Sequence, residues 1–270
     1  MKEYPVVIIT GAAGGIGKAT ALKYAMNGYA LTLADIDEVE LGLLQNMLQE
    51  IKCDFICLLG DLQDHQFIKD IIDQTLQRWG RIDTLVNNAA WRTIETMRHI
   101  SLETWERTIK ICLTAPAFLA KYAATAMEEN QIEGTIINIS SIMSHRAGGY
   151  SPAYIACKGA IESLTYELAV LYGAKGIRVV AVSPGNIQTN LSGDYTDGDA
   201  NNISERISVN MNESAPLQRA GTPDEIANVI FWLSSGDASF VTGTSIMVDG
   251  GFACNFSSYQ IKKLQFPKEF

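Results

Sequence analysis

Seven short runs of consecutive apolar residues recur along this chain, at 6–10, 30–34, 55–59, 84–87, 135–139, 178–182 and 245–248, rich in Val, Ile and Leu. A strand with one wet face alternates apolar and polar residues. These runs do not, so they read as strands covered on both faces. Longer stretches with helical spacing separate them, at about 16–27, 38–50, 66–79, 102–129, 152–172 and 223–235. Alternation of strand and helix implies a parallel sheet with helices on both sides, an α/β architecture. Ligands of such sheets bind beyond the C-terminal ends of the strands.

No Pro/Ser-rich linker, repeat or low-complexity tract divides the 270 residues, which suit one large domain. The formal net charge of -9 argues against a nucleic-acid backbone as partner. No apolar run reaches the roughly 18 residues of a spanning helix, and no Lys/Arg block suggests a membrane surface. The start, MKEYPVVIITG, enters a strand at once without the pattern of a signal peptide, which places the protein in the cytoplasm as an expectation. The five cysteines form no CxxC pair, so neither a metal nor a disulfide framework is expected. Cys53 and Cys57 read as buried thiols.

The first strand–turn–helix is VVIITGAAGGIGKAT, with Gly11, Gly15 and Gly17 spaced GxxxGxG. Glycines let backbone approach a pyrophosphate, and a helix N-terminus offers unpaired N–H groups and a positive dipole end. Asp35 ends the second strand 18 residues past Gly17. That is close to the offset of the acid that binds the adenosine ribose hydroxyls. A carboxylate there also repels a 2′-phosphate, and neither Gly14 nor Ile36 is basic, so NAD is expected rather than NADP. Lys18 is the counter-argument, expected to point to solvent. The other reading of Asp35 is a helix N-cap in ADIDEVE.

These motifs resemble the short-chain dehydrogenase/reductase family over nearly the whole chain. The matching strings are TGAAGGIG at 10–17, Asp35, GDL at 60–62, NNAA at 87–90, NISS at 138–141, YIACK at 154–158, SPGNIQT at 183–189 and VTGTSIMVDGG at 241–251. The resemblance implies a single Rossmann-like doubly wound sheet of seven mainly parallel strands in the order 3-2-1-4-5-6-7. It implies a cofactor site of Gly11, Gly14, Gly15, Ile16, Gly17, Asp35, Asp61, Leu62, Asn88, Ala89, Tyr154, Lys158, Pro184, Gly185, Ile187 and Thr189. Asp61 and Leu62 would cradle adenine, and Asn88 would shape the sheet edge beside the adenosine. Ile187 and Thr189 would hold the nicotinamide carboxamide, with Pro184 and Gly185 beneath the ring. Residues 1–254 would form the domain, and 255–270 a C-terminal tail.

The resemblance also implies catalytic roles for Ser141, Tyr154 and Lys158. A free tyrosine, with a pKa near 10, is a poor base at neutral pH. An ammonium one helical turn away stabilises the phenolate. Tyr154 would then take a proton from an alcohol as hydride leaves, or return it. Ser141 would hold the substrate oxygen, and Lys158 the nicotinamide ribose. The implied reaction is NAD-dependent interconversion of a secondary alcohol and a ketone. Other readings are an NADPH-linked 3-oxoacyl reductase and a non-catalytic NAD-binding regulator. One position departs from the pattern: Cys112 stands where the family usually has an asparagine. Pro116, four residues on, has no N–H, so the Cys112 carbonyl is expected to stay free for the family's proton relay. A thiol is not expected to brace the helix there.

Substrate contacts are expected from Trp91, Arg92, Met143, His145, Arg146 and Asn186, and from a polar lid running from Asn190 to about Asn212. The basic side chains favour a hydroxyl-rich or anionic substrate such as a sugar or sugar acid. The resemblance further implies a homodimer or homotetramer joined through helices 102–129 and 152–172, with the aromatic tail packing on a neighbouring subunit or disordered.

Overall fold

In a computed structural model of the chain, residues 4–189, 191, 193–197 and 199–270 are described. Asn190, the first residue of the expected lid, lies outside them. The strands are β1 (Val6–Thr10), β2 (Ala30–Asp35), β3 (Phe55–Leu59), β4 (Thr84–Asn87), β5 (Thr135–Ile139), β6 (Arg178–Pro184) and β7 (Thr244–Val248). They form one sheet in the order β3-β2-β1-β4-β5-β6-β7. Every neighbouring pair is parallel. The order reverses between β1 and β4, and the crevice at such a switch point is where a nucleotide site belongs.

Successive side chains of a strand point to opposite faces, and both faces are apolar here. Val7 and Ile9 of β1 pack on one side with Ala21 and Tyr24 of α1 (Gly15–Met26), Leu41 and Leu44 of α2 (Glu38–Glu50), and Ile226 and Ile230 of α8 (Pro223–Ser234). Ile8 points the other way, to Ile68 and Ile71 of α3 (His65–Trp79) and Leu119 and Ala123 of α5 (Ala115–Glu129). That is the physical reason for the uninterrupted apolar runs.

The expected helix at 102–129 is not one regular helix. It comprises α4 (Leu102–Ile109), a π-helical segment at Lys110–Thr114, and α5. The Ala115 N–H bonds the carbonyl of Lys110, five residues back. Pro116 explains the widened turn: it has no N–H, and its ring clashes with the carbonyl four residues earlier, that of Cys112. α6 (Pro152–Tyr172) lies alongside, and its exposed residues include Tyr166, Val170 and Leu171.

The expected lid is partly helical, with α7 at Ser204–Ser214. The tail folds back on its own chain. It contains α9 (Tyr259–Gln265), and Gln260 donates to Glu213 of α7 at 2.9 Å. Cys53 and Cys57 are half-buried rather than buried, because β3 is the edge strand of the sheet. No helix among the described residues is long and apolar enough to cross a membrane.

Candidate active site

A groove of about 390 Å³ runs along the C-terminal ends of the strands. Every residue expected at the cofactor lines it, except Gly17. Gly17 sits beneath the turn: a Cβ there would fall 2.0 Å from the Gly11 carbonyl oxygen. Gly11 has φ +60°, and a Cβ on it would fall 2.8 Å from Cα of Ala89. These two glycines therefore serve the close packing of the turn on β4's extension, which any side chain would force apart. Asn88 reinforces that join, its side-chain amide donating to the carbonyls of Thr10 and Gly11 at 3.0 and 2.9 Å. α1 begins at this turn with no acidic residue in its first turn and no side-chain cap. Its leading N–H groups and positive dipole end are open to an anion.

At the far end of the groove Asp35 does not cap a helix. Asp37 does, accepting from the N–H groups of Val39 and Glu40. Asp35 instead takes the N–H of Ala13 on Oδ2 at 2.8 Å, and those of Ile36 and Asp37 on Oδ1. Asp35, Asp37 and Glu40 all line this end. Lys18 does not point freely to solvent: its Nζ pairs with Glu40 at 3.7 Å. Phe67, beside Asp61 and Leu62, and Arg107 also line the groove, and neither was legible from sequence motifs.

At the near end Ser141, Tyr154 and Lys158 converge. Tyr154 is 8% and Lys158 3% exposed. The Lys158 Nζ lies 5.3 Å from the Tyr154 ring centroid and donates to the Ile139 carbonyl at 2.6 Å. An ammonium has three protons, so two remain for other partners. Ser141 Oγ accepts from the Met143 N–H at 3.2 Å, which leaves its own hydroxyl proton available. Ser151, ahead of α6, holds a left-handed backbone at φ +56°. Its N–H bonds the Glu95 carbonyl at 2.9 Å and its hydroxyl bonds that of Thr93. Those bonds fix the angle at which the helix delivers Tyr154.

Glu162, one turn beyond Lys158, was missed. It is buried. Its Oε1 lies 3.0 Å from Ser140 Oγ, 2.8 Å from Ser144 Oγ, 2.8 Å from Ser183 Oγ and 3.2 Å from Ser245 Oγ. His145 Nε2 meets Oε2 at 2.8 Å. This corrects the reading of His145 as a substrate contact: it lines neither cavity, because its Nε2 is tied to the Glu162 carboxylate while the rest of the ring stays exposed.

A second cavity, of about 330 Å³, shares Ser141, Tyr154, Gly185 and Leu191 with the groove. Arg92, Met143, Arg146 and Asn186 line it, whereas Trp91 faces the groove, with the Arg107 guanidinium 4.3 Å from its ring centroid. Cys112 lines neither. Contrary to expectation its thiol does brace the π segment: Sγ accepts from the Trp91 N–H at 3.4 Å and donates to the Trp91 carbonyl at 3.3 Å. Burial pushes this thiol's pKa up, against the pull of the Lys158 charge, so it is no thiolate nucleophile.

Residues 11–253 match a family model described as enoyl-(acyl carrier protein) reductase. An uncharacterized oxidoreductase of Thermotoga maritima is 35% identical, the match covering 93% of this chain and 96% of that protein. Glucose 1-dehydrogenase 2 of Bacillus subtilis is 33% identical over 90% of this chain and 93% of its own. The crystal structure of a short-chain type dehydrogenase/reductase from Mycobacterium marinum superposes with a TM-score of 0.84 at 29% identity, covering 93% of this chain and 96% of that one. With a seven-stranded parallel sheet in this order and a match that spans all but the two ends, the chain belongs to the short-chain dehydrogenase/reductase family and is an NAD(P)-dependent oxidoreductase.

Proposed function

We propose that the protein uses NAD to interconvert a secondary alcohol and a ketone, with Tyr154 as general acid and base. The observation that carries this reading is that Ser141 and Tyr154 line both cavities where they join, with Lys158 beside Tyr154 in the groove.

The groove's donor set suits a dinucleotide. Free N–H groups of α1 face the place of the pyrophosphate, and the aliphatic Pro184 and Ile187 face that of the ring. Asp35 would take the adenosine ribose hydroxyls, and Lys158 the nicotinamide ribose. Three carboxylates at one end, with the nearby Lys18 already paired, favour NAD over a 2′-phosphorylated cofactor. When bound, the nicotinamide accepts or donates hydride. In oxidation Ser141 donates a hydrogen bond to the substrate hydroxyl oxygen and orients it. Tyr154, as phenolate, takes the hydroxyl proton while the carbinol carbon gives up hydride, leaving a ketone. The Lys158 ammonium stabilises that phenolate from one turn away. In reduction the same phenol returns the proton to the carbonyl oxygen. We further propose that the Cys112 carbonyl, to which Pro116 can give no N–H, serves the proton relay behind Lys158.

The test is a screen of secondary alcohols with NAD, read as NADH absorbance, for the native protein and Tyr154→Phe. The variant should lose roughly 10²–10⁴-fold in kcat while NADH binding, followed by fluorescence, is retained. Undiminished turnover in Tyr154→Phe would remove this mechanism.

A further inference from the structure

The second cavity has a sign. Among its described lining residues are two arginines, Arg92 and Arg146, and no acid, in a chain whose net charge is -9. Arg146 bonds only carbonyls there, those of Ala253 at 3.1 and 2.7 Å and of Asn255 at 2.9 Å. Its charge meets no carboxylate among the described residues. Arg92 is partly neutralised. Its Nη2 bonds the Leu191 carbonyl and, at 2.9 Å, Asp194, a residue that does not line the cavity and whose side chain is 43% exposed. The Arg92 side chain is itself only 5% exposed. Its guanidinium stacks on Tyr195, 5.1 Å from the ring centroid. Its Nη1 is buried and has no hydrogen-bond partner among the described residues.

A buried guanidinium nitrogen without an acceptor is costly. Arginine's fork matches a carboxylate better than any neutral group. The rest of the wall is largely apolar or aromatic, including Met143, Tyr150 and Phe252. Such a wall suits a carbon skeleton, and the volume is at the small end for ligand sites.

We propose that this cavity takes a small hydroxy acid and its oxo acid: the reacting carbon at Tyr154 and Ser141, the carboxylate at Arg92, in the positive field of Arg92 and Arg146. The inference rests on the dehydrogenase reading above, and names the substrate class for that site. A neutral alcohol would leave Arg146 facing only carbonyls and Arg92 sharing its charge with the half-exposed Asp194 alone.

The experiment pairs short-chain and ring hydroxy acids with their primary amides and measures kcat/KM with NAD. The native protein should favour the acid by roughly 100-fold, on the scale of leaving a buried charged donor unmatched. In Arg92→Gln the acid-to-amide ratio should collapse towards one, and Arg92→Lys should restore part of it. NADH binding by each variant reports that the fold is intact. In parallel, calorimetry measures binding of the non-reacting pair cyclohexanecarboxylate and cyclohexanecarboxamide to the protein–NAD complex. Turnover of neutral alcohols without preference for acids, or a ratio unchanged in Arg92→Gln, overturns the inference and leaves the dehydrogenase reading standing. Arg92-dependent carboxylate binding with no turnover of any alcohol sinks the dehydrogenase reading and keeps the anion site.

Discussion

Replacing Glu162 by Gln should slow the reaction without weakening cofactor binding. Two residues proposed for catalysis are each one hydroxyl away from this carboxylate. Ser144 Oγ lies 2.8 Å from Glu162 Oε1 and also donates to the Ser141 carbonyl at 2.6 Å. Ser140 Oγ lies 3.0 Å from Oε1 and 3.1 Å from the Lys158 carbonyl. Each serine has one proton to give, so these bonds are shared, and Ser183 has Ser245 as a second partner at 2.8 Å. The substitution keeps the shape and an acceptor oxygen but removes the charge. Bonds to charged groups contribute about 1.5–3 kcal/mol against about 0.5–1.5 for neutral ones. With sharing, roughly two bonds weaken by about 1 kcal/mol each, and relief of the buried charge returns part of that. The expected net loss is about 1–2 kcal/mol, a fall in Tm of roughly 2–4 °C for a chain of this size. Glu162→Ala strands the hydroxyls and His145 together and should cost about 3–5 kcal/mol. The pH dependence has a sign. Burial pushes the Glu162 carboxyl up, but the hydroxyls of Ser183, Ser144 and Ser140 and the His145 imidazole outweigh it and hold it below the ordinary carboxylate range. A depressed folded value stabilises the protein above the unfolded carboxylate value, about 4.3. That stabilisation is lost as pH falls through the lower folded value. The Tm gap between native and Glu162→Gln should therefore narrow below about pH 4. Thermal melts across pH and steady-state kinetics with NAD provide the assay. A Tm shift with kcat unchanged would make Glu162 structural only. A pH-independent gap would refute the charged hub.

Asp35→Asn should lower the preference for NAD over NADP, expressed as a ratio of kcat/KM, by about tenfold, the effect of about 1.4 kcal/mol of repulsion removed; an unchanged ratio would show that other groups set the choice. Cys112→Asn should raise turnover less than tenfold, because Pro116 and the thiol's two bonds to Trp91 already set the backbone. A larger gain would mean that the native relay is impaired.

The sheet was legible because its chemistry is local. A parallel strand buried on both faces is apolar at every position, and the Gly-rich turn and Asp35 sit at strand ends where the topology brings them together. The break in the long helix was half legible. Pro116 announced a missing bond at Cys112, but whether the helix absorbs that loss by kinking or by widening a turn depends on what packs against it. Here Trp91 meets the Cys112 thiol, and residue 91 is joined to residue 112 only by tertiary contact. His145 was misplaced for the same reason. Its partner is 17 residues away on another element, and a histidine in a polar loop carries no mark of which carboxylate it will find.

Glu162 is different, because its position could have been read. Tyr154, Lys158 and Glu162 are spaced by four, so they lie along one stripe of α6. If Tyr154 and Lys158 face the site, Glu162 must face the sheet, since the stripe drifts slowly around the helix. An acid forced towards a parallel sheet needs donors. The strand ends supply them as serines: Ser140 after β5, Ser183 in β6 and Ser245 in β7. The stripe thus runs from the reacting end to a polar knot that ties three adjacent strands to one helix. Ser144, the fourth serine, extends the knot back to Ser141. A helix held this way can present Tyr154 at a fixed height above the sheet. The precision of the proposed acid–base residue is then set two turns away from it, by a carboxylate that touches neither cavity.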